Sequence, residues 1–567
     1  MPQARRKTPF SGKAKKQQIQ IKKQKKTFLV SGASGSGDQQ VVSLNYQPNQ
    51  GRGDKNRYAL KFYRENEEEL RIKKEEALKS LNLVSKEDME IEPSQFFPRD
   101  LSFPKRPPWN FDMTPQQLDA QEQRYFTEYI SSLEKSEYWP SMSYFELNLE
   151  TWRQLWRVLE MSDVLLLIVD VRFAAMMFPP SLYDHVVKER KKDMILVMNK
   201  VDLVPASVVA AWKSYLTEKY PGLKVVYFTS CPGYNLRGGL SDKAVHKNIV
   251  GLQIRRRKGR LRMCAEGATK LLEACKEVVQ GQVDLTSWET KIKEETMLEF
   301  DDDDQTEIGE TFVEKADTSY YEHERFKNGV LTIGCVGQPN VGKSSLMNAI
   351  MGKKVVSVSR TPGHTKHFQT IFLTPQVRLC DCPGLVFPSL APRPVQILMG
   401  SYPIAQLREP YTAIRYIAER IDLPRLLRID HPENDDTWSP RDVCDGWAKK
   451  RGFLTAKAAR LDAYRAANDL LRMTLDGKIP LHLAPKGYYN EIEKWRSCEE
   501  VKYVKWVQAL SADADTDDGP ASEKEGSDAG APDDSGGSEL SDDDDESSSA
   551  SDGAAVANKF AALAAHD

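Results

Sequence analysis

An α/β domain built on a mainly parallel sheet, followed by a smaller helical domain and flanked by charged arms, is the architecture the sequence predicts. Three observations predict it. Short apolar runs at Val164–Asp170, Met194–Met198, Lys224–Thr229, Leu331–Gly337, Gln369–Leu373 and Val377–Asp381 alternate with helical stretches. The first three end in polar residues, as buried parallel strands do before a functional loop. Net charge is only −2 over 567 residues, yet the first 26 residues hold ten Lys or Arg and no acid, while Asp513–Asp552 holds sixteen acids and one Lys. Like-charge blocks of that kind are solvated, disordered arms.

Taken in order, residues 1–60 are basic and then rich in Gly, Ser, Gln and Asn, which predicts a flexible arm. A charged helical stretch follows at Arg64–Leu83, and residues 1–102 are assigned together as the N-terminal part. The segment Phe103–Trp109 carries too much proline for regular structure. From Thr114 to Glu160 the period is helical, with Leu149, Trp152, Leu155, Trp156 and Leu159 on one stripe. The sheet domain is expected over 103–395. It is interrupted by a charged insert at about 232–325, whose first part contains IRRRKGRLR and whose later part contains Asp301–Asp304. That insert reads as a solvated surface excursion, with nucleic-acid contact by its basic part as the alternative. Residues 396–490 read as a helical domain and 491–567 as an acidic Ser/Asp-rich tail.

Composition excludes several classes. Eight cysteines without dense spacing do not make a disulfide framework. Cys380 and Cys382 read as strand packing, with zinc as a remote alternative. The N-terminus has no apolar core, so no signal peptide is expected. The longest apolar run, Val164–Val169, is too short to span a bilayer. The expectation is a soluble, intracellular chain without membrane contact.

The chemistry is concentrated in the phosphate-binding motif Gly337-Gln-Pro-Asn-Val-Gly342-Lys343-Ser344. It stands between the strand LTIGCV and the helical stretch SSLMNAI. Its glycines let backbone N–H groups curl around phosphates, and the helix N-terminus favours negative charge. Asn340, Val341 and Ser345 complete the loop and its first turn. Lys343 is expected on the β- and γ-phosphates and Ser344 on Mg²⁺. Downstream, Asp381-Cys-Pro-Gly384 is a DxxG at a strand end. Its Asp381 is expected to hold Mg²⁺ and the Gly384 N–H to bond the γ-phosphate. Thr365, in RTPGHTKHF, is the candidate switch threonine for Mg²⁺, with Thr361 as its competitor. His364 and His367 read as residues of that loop rather than metal ligands.

Upstream, Asn199-Lys200-Val-Asp202 ends the strand MILVM. The Asp202 carboxylate can accept from both N1–H and the 2-amino group of guanine. Adenine offers neither donor, and an unpaired desolvated carboxylate is heavily penalised. Asn199 can bond the base and brace the phosphate loop, and the Lys200 stem can cover the base face. Thr229-Ser230-Cys231 is the weaker last element, with the Ser230 backbone toward guanine O6. GTP or GDP with Mg²⁺ is therefore the expected ligand set. The base-reading elements precede the phosphate elements, the reverse of a conventional GTPase.

In that order, and in the stretches LETWRQLWRVLEMSDVLLLIVDVR, NKVDL, IGCVGQPNVGKSSLMNAI, VVSVSRTPGHTKHFQT, LCDCPGLVFPS and YPIAQLREPYTA, the chain resembles the circularly permuted GTPases of the YlqF and YawG type over roughly residues 103–490. The fold this implies is a P-loop GTPase domain with permuted motif order plus a C-terminal helical region. Relatives often carry D-A-R-x-P after the first strand; here it is Asp170-Val-Arg172-Phe-Ala. The resemblance also implies a role in ribosome biogenesis. A Gln after DxxG positions the attacking water in many GTPases, whereas Leu385 stands here, so slow intrinsic hydrolysis is expected. Asn340 at its loop position implies K⁺ coordination by resemblance, with loop shaping as the alternative. Catalytic roles are thus assigned to Lys343, Thr365 and Asn340.

The basic arm reads as a nuclear or nucleolar signal, an RNA-binding tail that would meet pre-ribosomal particles, or a solvated segment. Nuclear or nucleolar residence with cytoplasmic exchange is the corresponding expectation. Ser541 and Ser547–Ser549, set among acids, are candidate phosphorylation sites. A regulatory GTP-binding protein acting on protein effectors, without RNA, is the alternative class.

Overall fold

The computed structural model describes residues 41–43, 60–63, 65–229, 266–297, 324–351, 355–356, 369–455 and 459–512. At its centre lies a six-stranded sheet. Its strands are β1 (Val164–Asp170), β2 (Asp193–Asn199), β3 (Lys224–Tyr227), β4 (Leu331–Val336), β5 (Gln369–Thr374) and β6 (Val377–Asp381), in the spatial order β3-β2-β1-β4-β6-β5. All neighbours are parallel except the edge pair β5 and β6. Every residue of β1 and β4 is buried, which explains their continuous apolar character. The register sets Asp170 beside Asn199 and Cys335 beside Asp381. The sequence motifs therefore emerge together at the carboxyl ends of the parallel strands, where α/β sheets bind ligands.

Helix α1 (Leu149–Met161) packs its Trp152, Leu155, Val158 and Leu159 inward, and Asn148 caps it by accepting from the Glu150 N–H. It approaches β4 closely because Gly334 has no side chain: a Cβ there would lie 2.8 Å from Val158 Cγ1 and 2.3 Å from Ser162 Oγ. Helix α2 (Ala206–Lys219) buries Trp212, whose Nε1 donates to the Leu483 carbonyl at 2.9 Å.

The helical region contains α3 (Arg393–Leu398), α4 (Tyr411–Ala418), α5 (Pro440–Arg451) and α6 (Ala463–Leu475). Helix α5 shows why it begins and ends where it does. Ser439 and Asp442 form a capping box, Pro440 opens the first turn, and Gly452 closes the helix at φ 67°. The α4 residues Ala413, Ile414 and Ile417 and the α6 residues Ala466, Ala467, Leu470 and Leu471 join the same apolar core as the sheet. The described residues belong to one compact unit.

Three stretches differ from expectation. Within the predicted flexible arm, Val41–Ser43 pairs antiparallel with Lys61–Tyr63, and Leu60 and Phe62 are buried. Glu90–Ile91 pairs in parallel with Ala484–Pro485. Within the predicted surface insert, a helix at 266–279 and another at Thr286–Met297 bury Leu271, Cys275 and Trp288 completely. The basic IRRRKGRLR and Asp301–Asp304 lie outside the described residues. The predicted tail opens instead with helices at Ile492–Ser497 and α7 (Glu499–Ala512), whose Val501, Val504 and Val507 are buried. The basic and acidic ends themselves lie outside the described residues, as do Ser541 and Ser547–Ser549. Among the described residues no helix is long and apolar enough to cross a membrane.

Candidate functional site

The phosphate-binding loop leaves β4 and enters a nine-residue helix, Lys343–Met351. Gly337 lies against β1: a Cβ on it would fall 2.4 Å from the Ile168 carbonyl oxygen. Asn340 and Gly342 both take positive φ, 60° and 101°, which lets the loop curl. Val341 is wholly buried beneath it, and Ser344 and Ser345 stand half-buried in the first helical turn. The Lys343 ammonium folds into the loop and donates to the Gly337 and Gln338 carbonyls at 3.0 and 2.8 Å. Burial lowers its pKa, and the Asp381 charge opposes that shift. A buried cation, a helix N-terminus and a curled loop together make an anion site.

Asp381 ends β6 beside this loop. Both of its carboxylate oxygens are buried, with only the Ser344 hydroxyl and the Lys343 charge to offset their desolvation. Burial pushes its pKa up to about 6, against the pull of Lys343 and of the nearby Ser344 hydroxyl. A buried carboxylate next to a serine is a hard oxygen donor set suited to Mg²⁺. Gly384 lies over the loop, where a Cβ would sit 2.8 Å from Pro339 Cα. Leu385 is fully buried, and its N–H donates to the Gly337 carbonyl at 3.2 Å. It offers no group to orient a water.

On the side of the Asn199–Asp202 motif, Asn199 Nδ2 donates to the Val341 carbonyl at 2.7 Å, so the loop expected to read the base braces the phosphate-binding loop across 142 residues of sequence. Lys200 turns the chain at φ 63°. Asp202 accepts from Thr229 Oγ1 at 2.8 Å. Burial raises the Asp202 pKa, partly offset by that hydroxyl. Ser230, Thr361 and Thr365 lie outside the described residues, as do His364 and His367.

Three residues beyond the expected set, Gln338, Asp170 and Arg172, take part, and Asn340 gains a partner outside the loop. Gln338 is buried; it donates to the Met176 carbonyl and accepts from Ser401 Oγ at 2.9 Å. Asn340 Nδ2 donates to the Gly400 carbonyl at 2.8 Å, which ties the loop to the turn after α3. Asp170 and Arg172, in the stretch that departs from the family pattern, form a buried pair at 2.7 Å, and Lys200 Nζ reaches the same Asp170 oxygen at 2.7 Å. The sequence signal for these was weak: only the strand-end position of Asp170 pointed to the site. Burial would raise the Asp170 pKa, but Arg172 and Lys200 together hold it well below the usual carboxylate range. Cys380 and Cys382 are buried thiols whose pKa burial pushes up. Among the described residues no group of three or more His, Cys, Asp or Glu is placed to hold a metal ion.

Comparison with known proteins follows the same lines. A family model described as 50S ribosome-binding GTPase matches residues 332–434. The chain is 44% identical over 540 residues to guanine nucleotide-binding protein-like 1 of Rattus norvegicus, covering 87% of this chain and 88% of that protein. It is 32% identical over 424 residues to large subunit GTPase 1 of Saccharomyces cerevisiae, covering 71% of this chain and 60% of that protein. A solved structure of GNP-bound YlqF from T. maritima matches at 17% identity and a TM-score of 0.33, covering 59% of this chain and 98% of that one. By its near full-length similarity to the rat protein, the chain belongs to the guanine nucleotide-binding protein-like 1 family of circularly permuted GTPases.

Proposed function

We propose that this chain binds GTP and GDP with Mg²⁺, hydrolyses GTP slowly by itself and works as a nucleotide-dependent switch. The buried carboxylate of Asp381 beside the buried Lys343 ammonium carries this reading, since a phosphate and a cation would give both charges strong partners. Ser344 and Asp381 would hold Mg²⁺, with Thr365 as the third expected ligand. The metal, when bound, offsets the negative charge that develops on the phosphates. Lys343 would exchange its two carbonyl acceptors for phosphate oxygens. The Gly337–Ser345 backbone would cradle the phosphates, and the Gly384 N–H would sense the last of them. Asn199, Lys200, Asp202 and Ser230 would hold the base. Buried Leu385 offers no polar group to the attacking water, so turnover is expected to need help from elsewhere. Asn340 is proposed to bring K⁺ to the loop; its bond to Gly400 favours loop shaping, and equal rates in K⁺ and Na⁺ would decide for the latter.

Asp202→Asn tests the base assignment. The variant presents one acceptor and one donor to the two donors of guanine, so GDP affinity is expected to fall at least about 100-fold. It should gain affinity for xanthosine diphosphate, whose 2-oxo group accepts. Equal GDP affinity in both proteins, measured by calorimetry, overturns the assignment.

Action on assembling ribosomal subunits, in the nucleus or nucleolus, is the physiological role we propose. The basic N-terminal arm and the similarity to large subunit GTPase 1 support it. Co-sedimentation with large subunits in a GTP analogue, lost on deleting residues 1–30, is the expected outcome. Nucleotide-dependent capture of protein effectors, with no sedimentation, would favour the alternative.

A further inference from the structure

Residues 474–477, at the end of α6, touch both halves of the nucleotide site. Arg172 is fully buried and makes five hydrogen bonds from its guanidinium. Three go to the two carboxylate oxygens of Asp170, at 2.7 to 3.3 Å. The others go to the carbonyls of Thr474 at 2.7 Å and Leu475 at 3.4 Å. Those carbonyls sit at the negative end of the helix, where a cation is favoured. Asp170 is thereby fixed in one orientation, and its Oδ2 accepts from Lys200 Nζ at 2.7 Å. One step further along the chain, Gly477 takes φ 76°, and a Cβ there would meet Leu203 Cδ2 at 2.6 Å. Leu203 follows Asp202 directly. On the phosphate side, a Cβ on Gly400 would lie 2.8 Å from Asn340 Nδ2 and 3.2 Å from Leu475 Cδ2.

We propose that Arg172 is a positioning residue through which the end of α6 sets the grip of Lys200 on the nucleotide, so that docking of this helix end and nucleotide binding favour each other. The proposal rests on the assignment of Lys200 to the base. Removing the helix end takes two acceptors from Arg172 and leaves two cations sharing one buried carboxylate. Asp170 is then free to follow Arg172 and release Lys200. A partner that prises residues 474–477 away would loosen the nucleotide, and by reciprocity bound nucleotide tightens the helix end. The coupling uses the helix end and the base loop directly, not the γ-phosphate, so it acts on GDP as well as GTP.

A double-mutant cycle on the full chain tests it. Arg172→Met is expected to weaken GDP binding about tenfold, while on a Lys200→Met background the same change adds little. Arg172→Lys, which keeps the charge and part of the bonding, should recover part of the loss. Hydrogen exchange of the amides at 475–479 should slow on adding GDP to the unaltered protein, and should not respond to GDP in Arg172→Met. Additive losses in the cycle, or undiminished GDP protection at 475–479 in Arg172→Met, overturn the proposal. If Arg172→Met fails to fold, Gly477→Ala approaches from the other side by crowding Leu203; unchanged GDP affinity there also overturns it. An unaltered protein that binds no guanine nucleotide sinks the functional reading instead, which keeps the two failures apart.

Discussion

Asp381 is buried, and that burial pushes its pKa up to about 6 from an ordinary value of 3.8. The folded chain therefore binds this proton more tightly than the unfolded one. The stability the group contributes is fully present below pH 3.8 and is lost as pH rises through about 6. The proposed Mg²⁺ binding would run the other way, because it needs the ionised carboxylate. The Mg²⁺-dependent part of GDP affinity should rise with pH up to about 6 and level off above it, by up to about tenfold per unit on the rising limb. Titrations from about pH 5 to 7.5, with Asp381→Asn as the comparison, check this; the variant's profile should lack that limb. Asp381, Asn199 and Lys343 were legible in the sequence because each belongs to a short motif whose spacing reflects local backbone geometry. Arg172 was not legible as a coupling residue. Its partners Thr474 and Leu475 stand about 300 residues away and are backbone carbonyls, which leave no signature in side-chain type.

Among the elements, the six strands of the sheet were legible almost to the residue, most plainly β1 and β4, which are buried along their whole length and stop at loops. The stretch 266–297 was not. Its lysines and glutamates dominate the composition, but the apolar residues at Leu271, Cys275 and Trp288 meet the core only once the chain has folded. Trp288 is fully buried, so Trp288→Ala should destabilise the protein by about 3–5 kcal/mol in denaturant unfolding. A solvated excursion would give a change within about 0.5 kcal/mol. The same masking hid α7, where Val501, Val504 and Val507 recur every three residues amid charged neighbours. Its Gln508 donates to the Val201 and Val204 carbonyls at 2.8 Å, so a helix assigned to the tail steadies the base-reading loop.

For the whole molecule, permutation changes what the proposed phosphate sensor, Gly384, is tied to. The chain leaves Gly384 and runs within ten residues into α3, and the turn after α3 bonds the phosphate loop through Asn340 and Ser401. Residues 390–490 are expected to be placed differently with a GTP analogue than with GDP. Solution scattering checks this: superimposable profiles for the two states would refute it. The core is continuous from the sheet into α4 and α6, so the movement expected is a shift of packed helices rather than release of a separate body.

The sequence by itself determined the sheet, the permuted order of motifs and the residues that gather around the phosphate-binding loop. Those features are local: a strand, a tight turn and a helix start are written in neighbouring residues. Only the tertiary structure decided that 60–102, 266–297 and 491–512 belong to the folded body, and that the end of α6 meets Arg172. Such contacts join segments far apart in the chain, and what selects them is burial of apolar area and satisfaction of buried charges, which exist only after the chain has closed on itself.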